Sequence, residues 1–186
     1  MIKTILKDYF GFIKKPIDND IFTKLIYVLF FICINLIISY ILIIPLLEYV
    51  DETESLITTD YKDASTAKVF VILVLITPLI EEFVFRYFLR YKSFMSNFIS
   101  LEKWNKIFPL LVYLFNISFA LIHLTNFSNS SVLFYLLSPI IVLSQAITGF
   151  SITYIRVRLN FVYGVIFHWI WNLVVFFGVP LIENYF

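Results

Sequence analysis

Five long apolar runs, at about 25–47, 69–89, 107–124, 132–155 and 161–182, alternate with short polar segments along the chain. Each approaches the roughly 20 residues that carry an α-helix across a bilayer, so the pattern predicts five membrane helices. Ahead of them, Ile2, Ile5, Leu6, Tyr9, Phe10 and Ile13 recur at helical spacing against Lys3, Lys7, Lys14 and Lys15. That arrangement predicts an amphipathic helix over 1–20, lying on the membrane surface. A cleavable signal peptide needs an uncharged apolar region followed by a small-residue cleavage site, and this segment has neither.

Composition agrees. Hydrophobic residues make up 61% of the chain and charged residues 15%, against about 45–50% and about 25% in soluble domains. The expected fold class is all-α: a polytopic transmembrane helical bundle, forming one membrane-embedded domain over 1–186 with its motif-bearing part at about 69–182. The single cysteine, Cys33, excludes an intramolecular disulfide and is expected to be a small core residue. A net charge of +1 offers no basic face for nucleic acid, and the four glycines form neither a phosphate loop nor a dinucleotide fingerprint. Neither nucleic acid nor nucleotide is an expected partner.

The polar segments sort by charge. The N-terminal stretch, 90–106 and 156–158 are basic, 48–63 is acidic, and 126–131 is uncharged. Because basic loops stay cytoplasmic, five crossings from an inside N-terminus place every basic segment inside and leave Glu183 and the C-terminus outside. Pro45, Pro78, Pro109, Pro139 and Pro180 are expected to kink or start helices. Asn35, Asn116, Thr125 and Gln145 are expected to hydrogen-bond between helices, Arg90 to anchor at the interface, and Trp169 and Trp171 to act as packing or interfacial aromatics.

Glu81, Glu82 and Arg86 break the second apolar run, and each ionised group at the bilayer centre costs at least about 2.5–3.5 kcal/mol, which marks a functional site. On a helix Glu82 and Arg86 are i, i+4 neighbours and can pair, while Glu81 is turned by roughly 100 degrees toward another face. Glu81, beside a second carboxylate in a low-dielectric site, has the setting of a general base. The only histidines, His123 and His168, lie in two further apolar runs, where they can carry protons. Asn172, one turn beyond His168, can offer an amide N–H to a developing oxyanion. Glu81, His123 and His168 could also furnish the two-histidine, one-carboxylate set of a catalytic zinc site. There is no G-x-S-x-G elbow, no H-E-x-x-H helix and no pair of intramembrane aspartates on separate helices. Counting about 1.5 Å per residue from the expected cytoplasmic ends puts His123 roughly 12 Å deeper than Glu81 and His168.

The ordered set Glu81-Glu82-x-x-x-Arg86, Phe119-x-x-x-His123 and His168-x-x-x-Asn172 resembles the signature of the CPBP family of intramembrane proteases, the CAAX-processing and bacteriocin-processing group also called the Abi family. The resemblance runs over about 69–176 and leaves the first span uncovered. It implies an all-helical fold with a cavity between helices and hydrolysis of a peptide bond in a membrane-associated peptide or protein. It further implies that Glu81 with His123 activates water, that His168 and Asn172 hold the oxyanion, and that Glu82, Arg86 and Phe119 support them. The resemblance points to a glutamate-dependent reaction without metal, in a multi-pass protein of a bacterial cytoplasmic membrane. Bacterial relatives of this type are linked to bacteriocin immunity, so a non-catalytic immunity protein on the same scaffold is the second reading. A proton-coupled transporter is the third, disfavoured by the absence of internal repeats and of glycine-broken helix pairs.

The charge pattern makes a direct prediction about topology. With cysteines introduced singly at Glu54, Lys103 and Asn184 in a Cys33→Ser background, an impermeant thiol reagent added to intact cells is expected to label positions 54 and 184 and to spare 103. Labelling at 103 without labelling at 54 would reverse the orientation.

Overall fold

The computed structural model describes residues 20–43, 64–127 and 131–183. Residues 1–19 of the expected surface helix, the acidic segment at 48–63, half of the neutral segment at 126–131 and the last three residues lie outside that set. Among the described residues the regular structure is helical, as the hydrophobic pattern predicts. Helix α1 is Ile21–Ile38, continued by a π-helical turn at Ser39–Ile43. The charged run forms one helical rod: α2 at Thr66–Phe70, a π-helical segment at Val71–Ile76, and α3 at Thr77–Arg86. Then come α4 at Leu101–Ile122, α5 at Val132–Ile141, α6 at Leu143–Arg158 and α7 at Phe161–Glu183. Four helical stretches, Ile21–Ile41, Leu101–Asn126, Val132–Arg158 and Phe161–Gly178, are long and apolar enough to cross a membrane. The protein is a multi-pass integral membrane protein, and the rod with Glu81, Glu82 and Arg86 packs chiefly against the second and the last of these.

Boundaries moved where local chemistry outweighs hydropathy. Helix α1 starts at Ile21 because the Asp20 side chain accepts from the Thr23 backbone N–H at 2.8 Å. Helix α4 starts at Leu101, earlier than the apolar run, because Ser100 caps the Lys103 N–H and Glu102 pairs with Lys106 on an exposed face. The fourth run is two helices instead of one. Pro139 removes an amide from the helical ladder, and the chain breaks at Val142, whose φ of −96° and ψ of 13° are not helical.

Helix α6 is the centre of the bundle, packed against α1, α4 and α7, and it is buried over nearly all of 148–158. Its sequence explains why. Thr148, Gly149, Ser151 and Thr153 are small enough for neighbouring helices to approach closely and polar enough to bond across the gap. Asn35 on α1 donates to Ser151 Oγ at 2.8 Å and accepts from Thr148 Oγ1 at 3.3 Å, while Asn116 on α4 accepts from Thr153 Oγ1 at 3.1 Å. Thr125 does not join helices, because its hydroxyl donates to the Ile122 carbonyl one turn back; the buried Gln145 Oε1 has no partner among the described residues. Cys33 is exposed, not a core residue. Tyr27, Val28, Phe31, Ile32 and Asn35 form the buried face of α1, and Cys33 falls outside it.

The basic segment at 156–158 is not a solvated loop. Arg156 and Arg158 occupy the last turn of α6 and are buried. Arg156 donates from Nε to the Arg86 carbonyl at 3.2 Å and from Nη2 to the Tyr87 carbonyl at 2.8 Å, satisfying carbonyls at the C-terminal end of α3. Arg90, just beyond α3, returns the interaction by donating to the Leu159 carbonyl at the end of α6 at 3.3 Å. The two helix ends therefore cap each other, and α3 is held in place beside α6.

Candidate functional site

The polar groups converge where α3, α4 and α7 meet. Helical spacing brings Arg86 back over Glu82, with Nη1 to Oε1 at 2.6 Å, and both side chains are sealed at 1% and 0% exposure. The guanidinium lies 3.8 Å above the Phe119 ring of α4, so the face of an aromatic ring covers a cation that water cannot reach. Room for this comes from Gly149 on α6. A Cβ there would lie 2.9 Å from Asn116 Oδ1, 3.0 Å from Arg86 Nη2 and 3.0 Å from Phe119 Cδ1.

His168 joins the two carboxylates. From α7 its Nδ1 stands 2.9 Å from Glu82 Oε1, the oxygen that already accepts from Arg86, and its Nε2 stands 3.4 Å from Glu81 Oε2. A carboxylate fixed by arginine cannot donate, so Nδ1 carries the proton and the ring is held with Nε2 toward Glu81. Glu81 is 19% exposed where Glu82 is fully buried. The adjacent carboxylates thus differ as helical phase predicts: one is locked in an ion pair and the other is accessible.

His123 closes α4, where the helix passes into a short 3-10 turn. Its Nδ1 is 2.7 Å from the Phe119 carbonyl, which accepts, so Nδ1 is the N–H and Nε2 is the basic nitrogen. The Phe119 ring touches both histidines edge-on, with centroids 4.7 Å from His123 and 5.9 Å from His168. The depth difference counted along the sequence does not keep the two histidines apart, since both flank one aromatic ring. Phe119, expected as a supporting residue, is the shared wall of the site.

Asn172, expected to offer an amide N–H to an oxyanion, has its amide against the charged rod. Its amide Nδ2 donates to the Leu73 carbonyl in the π-helical segment at 2.8 Å. One turn earlier, the Trp169 Nε1–H donates to the Leu75 carbonyl at 2.9 Å, while Trp171 is buried in the core. Hydropathy and motif spacing revealed neither bond, nor the part played by Gly149. The signals were the i, i+3 spacing of two donors on α7 and one of few glycines placed inside a membrane helix.

His123 and His168 each have Nδ1 on a protein acceptor, which leaves Nε2 of both rings toward the site, and among the described residues no three His, Cys, Asp or Glu side chains stand close enough together to hold a metal ion. The site provides an accessible carboxylate, an imidazole oriented by a buried ion pair and a second imidazole with a basic nitrogen. These are parts for moving protons around a water molecule.

A family model described as Rce1-like type II CAAX prenyl endopeptidase matches residues 63–174, more than half of the chain and inclusive of every site residue from Glu81 to Asn172. No curated protein and no solved structure matches the chain.

Removal of Arg86 tests the electrostatic base of the site. Arg86→Ala leaves Glu82 buried beside a single imidazole donor, and a broken buried pair costs about 3–5 kcal/mol. Thermal unfolding in detergent should show a loss of that order. A variant as stable as the unmodified protein but inactive would make Arg86 a group that acts on substrate.

Proposed function

This chain belongs to the Rce1-like type II CAAX prenyl endopeptidase family, and from that membership we propose that it is an intramembrane endopeptidase using Glu81 to activate water. One observation carries the reading. Glu81, the accessible member of the glutamate pair, faces His168 Nε2 at 3.4 Å while the sealed Glu82 and Arg86 hold that imidazole from its other side.

The charges suggest the division of work. Glu81 and Glu82 supply two anions and Arg86 one cation, so a protonated His168 makes the four-group cluster neutral. An imidazolium with Nδ1–H bound to Glu82 presents Nε2–H as a donor beside Glu81. Glu81 takes a proton from water, the resulting hydroxide attacks the carbonyl carbon, and the oxyanion is stabilised by His168 Nε2–H. The basic Nε2 of His123 is the second acceptor for the water, in line with its bond through Nδ1 to Phe119. Protonated Glu81 then gives its proton to the amine nitrogen as the C–N bond breaks, which returns the carboxylate for the next turnover. The substrate is a membrane-associated peptide or protein that reaches the site through the bilayer. The N-terminus is cytoplasmic in this reading, and the charge pattern of the polar segments supports it.

Two measurements test the chemistry. Glu81→Gln keeps size and polarity but accepts no proton, so the variant should remain folded in the membrane and lose peptidase activity by at least about 100-fold. Turnover within a few-fold of the unmodified enzyme would remove Glu81 as the base. Separately, a reaction run by these residues alone implies sub-stoichiometric zinc in the purified protein and full activity after extended chelation. Loss of activity on chelation with strong, saturable rescue by zinc would establish a metal mechanism.

A further inference from the structure

The segment that carries the carboxylates contains a missing hydrogen bond, and its replacement comes from α7. In the π-helical turn the Thr77 N–H donates to the Ile72 carbonyl, five residues back. The same register would give the Leu73 carbonyl to the amide of residue 78, which is Pro78 and has no N–H. Inside a membrane water does not readily supply a donor for that oxygen. Asn172 does, with Nδ2 at 2.8 Å, and Trp169 Nε1–H reaches the Leu75 carbonyl at 2.9 Å. Both belong to the helix that carries His168, so α7 grips the backbone of the rod just before Pro78 and its carboxylates just after it.

We propose that Asn172 is a positioning residue that stands in for the absent Pro78 amide and, with Trp169, holds the wide turn that sets the direction in which Glu81 leaves α3. The proposal rests on Glu81 as the base. A wide turn held at one phase brings Glu81 to His168 while Glu82 stays on Arg86. If the turn tightened to α-helical spacing, every following side chain would rotate relative to α7.

The test is a rescue. Asn172→Ala, Pro78→Ala and the double variant are made in the full chain and compared by thermal unfolding in detergent. Turnover is measured in liposomes on a quenched-fluorescent peptide, with and without a prenylated C-terminal cysteine. Asn172→Ala should unfold at lower temperature and lose about 100-fold in turnover, the effect of a misplaced reacting group. The double variant regains an amide at position 78 and should recover both, turning over within about threefold of the unmodified protein with an unchanged pH profile, because the two changes are not additive. Should Asn172→Ala not accumulate as folded protein, accumulation of the folded double variant supports the brace, and its failure to fold overturns it. Trp169→Phe, which removes the indole N–H together with the five-membered ring that carries it, should lower the unfolding temperature by itself. Recovery of stability without recovery of turnover would overturn the proposal and place Asn172 on the substrate, as would an Asn172→Ala protein of unchanged stability. If the unmodified chain cleaves neither peptide yet the stability rescue appears, the peptidase reading fails and the brace stands.

Discussion

A buried charge has to find its counter-charge within the protein, and the Glu82–Arg86 pair is the point from which the site is organised. At 0% and 1% exposure these groups exchange nothing with solvent, so each neighbour is selected by what it offers them. Glu82 Oε1 takes two donors, Arg86 and His168. Phe119 offers the guanidinium the face of a ring, and Gly149 withholds the side chain that would displace it. The accessible Glu81 acquires its setting at second hand, because the imidazole it faces is oriented by the pair behind. This is the logic by which outer hydrogen bonds fix the tautomer and aim of a working histidine.

Hydropathy made the helices legible, and the cost of intramembrane charge made the site legible. Glu81, Glu82, His123 and His168 stood out because they are expensive where they are, and the structure gathers all four around Phe119 and Arg86. What the sequence hid falls into two kinds. The place of a helix break is one: Pro139 marks a kink, but that the chain leaves the helix at Val142 arises from backbone hydrogen bonding, to which a hydropathy average is blind. Facing is the other kind. Cys33 looked like core because its run is apolar, but all faces of a membrane helix are apolar, and only polar partners such as Ser151 and Thr148 reveal which one turns inward. The same blindness made Arg156 and Arg158 look like a loop, when they lie within α6 and one of them caps α3.

Irregular backbone at membrane depth is permitted where protein can satisfy it. The π-helical turn at Val71–Ile76 meets that condition through side chains of α7, and the ends of α3 and α6 meet it through arginines exchanged between them. The rod is thus held by backbone bonds at its π-helical segment and at its C-terminal end, and its charged side chains point from a fixed frame. The match to the Rce1-like family model covers 63–174, the interval that includes every one of these bonds.

The distance along the chain between Glu82 and His168 has a consequence for biosynthesis. The two are 86 residues apart, and α4 with Phe119 also follows the charged rod. When the rod leaves the ribosome, Glu82 has Arg86 beside it, but the aromatic cover, the imidazole and the capping arginines of its finished surroundings have not been synthesised. The charges of Glu81, Glu82 and Arg86 make it a poor candidate for release into lipid by itself. Its charged groups therefore gain their full set of partners when α4, α6 and α7 have followed it, so the site is completed late in the synthesis of the chain.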